Sequence, residues 1–91
     1  MSTTLWTLHS SSGDVAVQVI DVDDTHRELR AQVRPAEWLV VVRAERFGAG
    51  WLVTCPLTPG HLVPTTSAAA AGVCMLEELH TQFGGELERA A

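Results

Sequence analysis

The stretch from Gly50 to Leu79, GWLVTCPLTPGHLVPTTSAAAAGVCMLEEL, constrains the fold more than any other part of the chain. It opens on Trp51 to Cys55, which reads as a buried strand. Pro56 and the Pro59-Gly60 pair then break the sheet, because proline cannot donate to a ladder and glycine suits tight turns. His61 to Val63 fits a short edge strand. Thr66 or Ser67 is placed to cap a helix, and the alanine run behind it has high helix propensity. A helix that follows a strand and a turn in this way needs a sheet to lie on.

The preceding fifty residues supply that sheet. Thr3 to Ser10 alternates around Leu5, Trp6 and Leu8, and Ser10 to Asp14 is turn chemistry. Val15 to Val22 is rich in β-branched residues, with Val15, Val17 and Val19 on one face, so the two runs read as a hairpin. After a polar turn at Asp21 to Thr25, the run Arg27 to Arg34 alternates strictly. Leu29, Ala31 and Val33 fall on one side and Arg30, Gln32 and Arg34 on the other, which predicts a half-buried strand with an arginine face. Pro35 ends it. Trp38–Arg46 contains the β-type core WLVVV and should pair antiparallel with Gly50–Cys55 across a glycine turn. In the helix, Val73, Leu76, His80 and Phe83 recur at three and four, with Leu79 beside them, and are assigned to the sheet side. Glu77, Glu78 and Gln82 are assigned to the outer side. Gly84-Gly85 ends the helix, and Glu86 to Ala91 is read as a frayed tail. The predicted fold is a single α+β domain over residues 1–91. It is an antiparallel β-meander of about five strands followed by one C-terminal helix packed on one sheet face. The other face, or an edge strand, is left available for a homodimer.

Composition limits the function classes. The chain is 46 % apolar, too much for a disordered segment. Its longest near-apolar run, Ala68 to Leu76, is far too short to span a membrane, and MSTTLWTLHS has no basic region ahead of an apolar stretch. A cytoplasmic protein without membrane contact is the expectation. Six arginines stand against eleven acidic residues, a net charge of −5. That balance disfavours general nucleic-acid binding, which depends on phosphate neutralisation. The charge is also uneven: residues 1–26 hold four Asp and no Arg, residues 27–46 hold five Arg and three Glu, and residues 47–91 hold four Glu and one Arg.

No catalytic signature emerges, and no enzyme activity, cofactor or metal is predicted. Cys55 and Cys74 form no C-x-x-C pair and read as buried thiols. His9, His26, His61 and His80 are scattered, none beside a matching ligand. Asp21, Asp23, Asp24 and His26 could hold a cation, but they lack the spacing and glycine of a calcium loop, and a solvated turn is the plainer reading.

The segment from Trp38 to Phe83 resembles the HicB-like antitoxin domain. Gly50-Trp51-Leu52-Val53 matches that family's strand, and Pro56-Leu57-Thr58-Pro59-Gly60 keeps its two prolines and glycine in register. Ser67 stands where its Thr caps the helix, and Ala71 where its Ala follows two Glu. The resemblance implies a small β-β-β-α module with a truncated RNase H-like fold that binds a protein partner. Leu57, Ala69 and Ala70 replace the family's acidic residues, the strand it places after the helix has no counterpart in this reading, and no room remains for its DNA-binding appendage.

The sequence thus points to a small non-catalytic protein-interaction module, antitoxin-like, that neutralises or tethers a toxin or a nucleoprotein effector. An acidic phage- or mobile-element-type inhibitor, such as an anti-CRISPR or other anti-defence protein, is the alternative. A small RNA- or DNA-binding domain using the arginine strand is a third reading. The candidate partner-binding residues are Arg27, Arg30, Arg34, Arg43, Arg46, Glu77 and Glu78.

Overall fold

The computed structural model describes residues 2–89. They form β1 (Ser2–Ser10), β2 (Gly13–Asp23), β3 (His26–Arg34), β4 (Glu37–Phe47), β5 (Gly50–Thr54), β6 (Leu62–Thr65), α1 (Ala68–Phe83) and β7 (Glu86–Arg89). The α+β class and the single helix on an antiparallel sheet are as predicted, but the sheet has seven strands rather than about five. Its order is β6-β5-β4-β3-β2-β1-β7.

Four hairpins build most of it. Each closes through a two-residue loop, between the pairs Ser10↔Gly13, Asp23↔His26, Arg34↔Glu37 and Phe47↔Gly50. Local chemistry holds these turns: Ser10 Oγ donates to the Gly13 carbonyl at 2.6 Å, and Asp23 Oδ1 accepts from both the Thr25 amide and its hydroxyl. Those two bonds also hold the Asp23 carboxyl below its usual range. After β5 the chain turns twice in succession, with Thr58 N–H donating to Cys55 O and His61 N–H to Thr58 O. The Pro-x-x-Pro-Gly segment therefore folds as a compact double turn that sends β6 back along β5.

The helix starts at Ser67, whose backbone is extended and whose hydroxyl accepts the Ala70 amide at 3.1 Å. Replacing Ser67 with Ala leaves that amide unpaired and should lower stability by about 1 kcal/mol. In a chain of this size, that is a fall of roughly 4–8 °C in melting midpoint. Helix α1 joins the two edges of the sheet, since β6 precedes it and β7 follows it. Sixteen residues rise about 24 Å, close to the roughly 29 Å that six inter-strand gaps span.

Two expectations are corrected here. The segment after the helix is not frayed over Glu86–Arg89. It pairs with β1, Leu8 facing Leu87 and Trp6 facing Arg89, so a strand does follow the helix; Ala90 and Ala91 lie outside the described residues. One inward leucine among charged residues gives little local signal, and the strand is stabilised by a partner at the other end of the chain. Second, the face of α1 turned to the sheet is Ala71, Met75 and Leu79, all buried. Val73 and Leu76, assigned inward, are 58 % and 44 % exposed, while Glu78 turns inward and Gln82 donates to the Val41 carbonyl. Strand β4 also carries an irregularity. Leu29 faces Val42 and Arg30 faces Val40, so Val41 is an extra residue in a bulge. The bulge lets consecutive residues Val41 and Val42 both reach the core.

The core lies between the helix and one sheet face. Leu8, Val17, Leu29, Ala31, Val41, Val42, Ala44 and Val53 come from the sheet, and Ala71, Met75 and Leu79 from the helix. Both edges are protected against further pairing. Pro64 sits in β6, and β7 carries Glu86, Glu88 and Arg89. No helix among the described residues is long and apolar enough to cross a membrane.

Candidate functional site

The register divides the predicted arginine strip. On the sheet face away from the helix, Ile20, Glu28, Arg43 and Thr54 form one cross-strand row. Glu28 is only 6 % exposed. Arg30 grips its Oε1 through Nε at 2.9 Å and Nη2 at 2.7 Å, and His26 Nε2 lies 2.8 Å from its Oε2. Arg43 Nε stands 3.7 Å from the same Oε2, buried and without a hydrogen bond. Burial pushes the Glu28 carboxyl up, but the bonds from Arg30 and His26 outweigh it and hold its pKa below the usual value.

The other three arginines are elsewhere. Arg27 lies on the helix side, bonded to Asp21 and tucked beneath Gly72, where a Cβ would stand 3.2 Å from Nη1. Arg34 is near the β3–β4 turn beside Glu37. Arg46 is exposed at the far end of β4 and, among the described residues, alone of the five makes no ion pair. The five arginines thus form no continuous basic surface, and four of them are matched by carboxylates.

On the helix side the coverage is incomplete. Helix α1 packs on β4, β5 and β6, and a trench remains between it and β1–β2. The middle of the trench is an apolar cavity of about 350 Å³ walled by Trp6, Val19, Leu29, Val73, Met75 and Leu76. Asp21 and Arg27 lead from it to a polar depression beside the helix start, lined also by Asp23, Asp24 and Trp51. At the other end Leu76 leads to a depression formed with Leu8, Leu79, His80, Glu86 and Leu87. Three depressions thus follow one another along one flank of α1, the middle one apolar and the outer two carrying acidic groups. Glu77, a predicted partner contact, is exposed one turn beyond Val73 and lines none of these depressions. The 3–4 spacing of Val73, Leu76 and His80 was visible in the sequence, but its meaning was inverted: it marks the open flank of the helix.

Behind the helix a polar cluster forms that sequence reasoning missed. Cys55 directly follows β5, His61 closes the double turn and Glu78 faces them from α1. One donor atom from each lies within 4.8 Å of the others. His61 Nε2 is 3.0 Å from Glu78 Oε1, and Cys55 Sγ is 3.5 Å from Glu78 Oε2. Glu78 was expected on the outer side of the helix as a partner contact. Burial, followed by the bond to Glu78, raises the Cys55 thiol to about 11. Such a thiol stays protonated at neutral pH, unlike the activated thiolate of a nucleophilic cysteine. Cys74 is also raised, by burial and by Glu78. The only sequence signal for the cluster was C-x₅-H across the proline turn, and it had no meaning until Glu78 was known to face inward.

Asp21, Asp23, Asp24 and His26 form no cluster of metal-ligating atoms among the described residues. Asp21 is used by Arg27, Asp23 by the turn at Thr25, and His26 by Glu28.

Comparison with family models, curated proteins and solved structures returns no match. The function must therefore be argued from the surfaces themselves.

Proposed function

We propose that this protein is a non-catalytic protein-interaction module, and that its helix-side trench holds an amphipathic basic segment of a partner protein. The observation that carries this reading is the trench itself: an apolar cavity flanked by Val73 and Leu76, with Asp23 and Asp24 beyond the Asp21–Arg27 pair at one end and Glu86 at the other. Apolar side chains would gain about 25 cal/mol per Å² buried there, and the acidic ends would orient a cationic chain and speed its encounter. Arg30 and Arg43 are matched by Glu28 on the other face and Arg27 by Asp21 on the helix side, which leaves the excess acidic residues to set the long-range field of the chain, whose net charge is −5. This charge pattern suits a chain that neutralises a basic toxin, the antitoxin-like reading drawn from residues 38–83. The same acidic ends favour a second reading, an inhibitor occupying a nucleic-acid site on an effector.

Affinity capture from the native host with wild type and Leu76→Glu tests the proposal. The substitution places a charge in the apolar cavity, at a position already 44 % exposed, so folding should be retained and is checked by circular dichroism. Val73→Glu serves as an independent second variant. A basic protein held by wild type and lost from both variants is the expected result. Identical capture profiles would remove the trench as the binding surface. Wild-type self-association lost in the variants would replace the basic partner with a second copy.

A further inference from the structure

We propose that Cys55, His61 and Glu78 form a zinc-binding site that clamps the Pro56–Gly60 double turn to helix α1. Soft and borderline donors select zinc over calcium or magnesium, which take oxygen ligands. Zinc binds Cys sulfur near 2.3 Å and His nitrogen or carboxylate oxygen near 2.0 Å, so a tetrahedral site sets the S···O edge at about 3.5 Å and the N···O edge at about 3.3 Å. The distances here are 3.5 Å for Cys55 Sγ to Glu78 Oε2 and 3.0 Å for His61 Nε2 to Glu78 Oε1. The two distances run to different Glu78 oxygens, and with one donor atom from each residue inside 4.8 Å a small rotation of the Glu78 carboxyl brings a single oxygen to both edges.

The three donors come from independently fixed elements. Cys55 is buried directly after β5, His61 closes two consecutive backbone turns, and Glu78 lies near the middle of the helix. The site is enclosed on the protein side and open on the other, because the His61 side chain is 42 % exposed. A cation can enter from that side, and the fourth position falls to water. Cys74, one helical turn before Glu78, is outside the three-donor cluster. In the metal-free arrangement the Cys55 thiol donates to Glu78 Oε2, and zinc replaces that proton, which is released to solvent on binding. This inference does not depend on the trench, which lies on the opposite flank of the helix.

The test uses reduced chain without an affinity tag, stripped with a chelator and titrated with Zn²⁺ by calorimetry. Co²⁺ serves as the spectroscopic probe for thiolate ligation and tetrahedral geometry. One zinc per chain is expected, with a melting midpoint raised by roughly 10 °C or more once free zinc exceeds the dissociation constant about a hundredfold. Cys55→Ser, His61→Gln and Glu78→Gln should each weaken binding by more than about a hundredfold, beyond the 10–100-fold cost of losing a supporting group. His61→Gln changes the most exposed of the three donors and keeps the comparison valid if the other two variants fold poorly. Cys74→Ser should bind zinc as wild type does and keep the Co²⁺ thiolate band. Absence of zinc uptake by wild type, or equal uptake by His61→Gln, would overturn the site.

Discussion

Replacing Glu28 with Ala should cost about 3 kcal/mol of unfolding free energy, the lower end of the range for breaking a buried ion pair by removing one partner. The loss strands two guanidinium groups. Arg30 gives up both of its bonds to Oε1, and Arg43, whose Nε is already buried without a hydrogen bond, loses its nearest carboxylate. Arg30 and Arg43 are a little over one-third exposed, so water recovers part of their solvation, which is why the lower end applies. Urea denaturation of the two proteins measures the difference. The pH dependence supplies a second check. The folded-state pKa of Glu28 lies below its ordinary value of 4.5. Its stabilising contribution is therefore complete above that value and fades as pH falls through the lower, folded pKa. The gap between wild type and Glu28→Ala should be constant at neutral pH and narrow in acid. A gap below about 1 kcal/mol at neutral pH, the range of exposed ion pairs, would show that the network is only a surface feature.

Gly85→Ala should be of comparable size, about 2–3 kcal/mol, for a reason that involves no side-chain contact in the native protein. Gly85 has φ of +76°, and a Cβ there would collide with the backbone carbonyl of His9 and the Cα of Ser10. Left-handed backbone costs an L-residue roughly 1–2 kcal/mol, and the collision adds to it. Gly48 is the control. It also has positive φ, +60°, but a Cβ there meets open space, so Gly48→Ala should cost only the backbone share, about 1 kcal/mol. Amide exchange in β7 gives the second readout, since the collision forces β7 away from β1 and exposes the Leu87 amide. If the two alanine variants melt together and β7 keeps its protection, the close approach is not what fixes Gly85.

How much of this was legible in the sequence differs from element to element. The hairpins were, because their turns carry local chemistry: Ser10 to Gly13, Asp23 to Thr25, the proline after Arg34 and the glycines beside Ala49. The helix was, because Ser67 and the alanine run announce it. Its orientation was not. Two apolar stripes run along α1, and Ala71–Met75–Leu79 won the sheet because small residues and a flexible Met permit close approach, whereas the bulkier Val73–Leu76 stripe offers no such fit. The extra residue at Val41 was hidden inside a uniform run of valines. Glu28 occupies a position that alternation assigns to solvent, and it is buried only because Arg30, Arg43 and His26 converge on it from two strands. The polar cluster was the least visible part, since Cys55, His61 and Glu78 belong to three elements and only the inward turn of Glu78 unites them.

The pairing of β7 with β1 also orders the assembly of the molecule. Each hairpin of the meander closes a loop of a few residues, whereas His9 and Glu86, which face each other across the last pair of strands, are separated by nearly the whole chain. On the logarithmic cost of loop closure, joining such distant ends directly is less favourable than a hairpin by about 2.5–3 kcal/mol. That penalty shrinks once the meander and the helix have formed, because α1 then delivers β7 to the vacant edge. The first strand therefore waits for the last, and its outer hydrogen bonds are satisfied only when synthesis has passed residue 89.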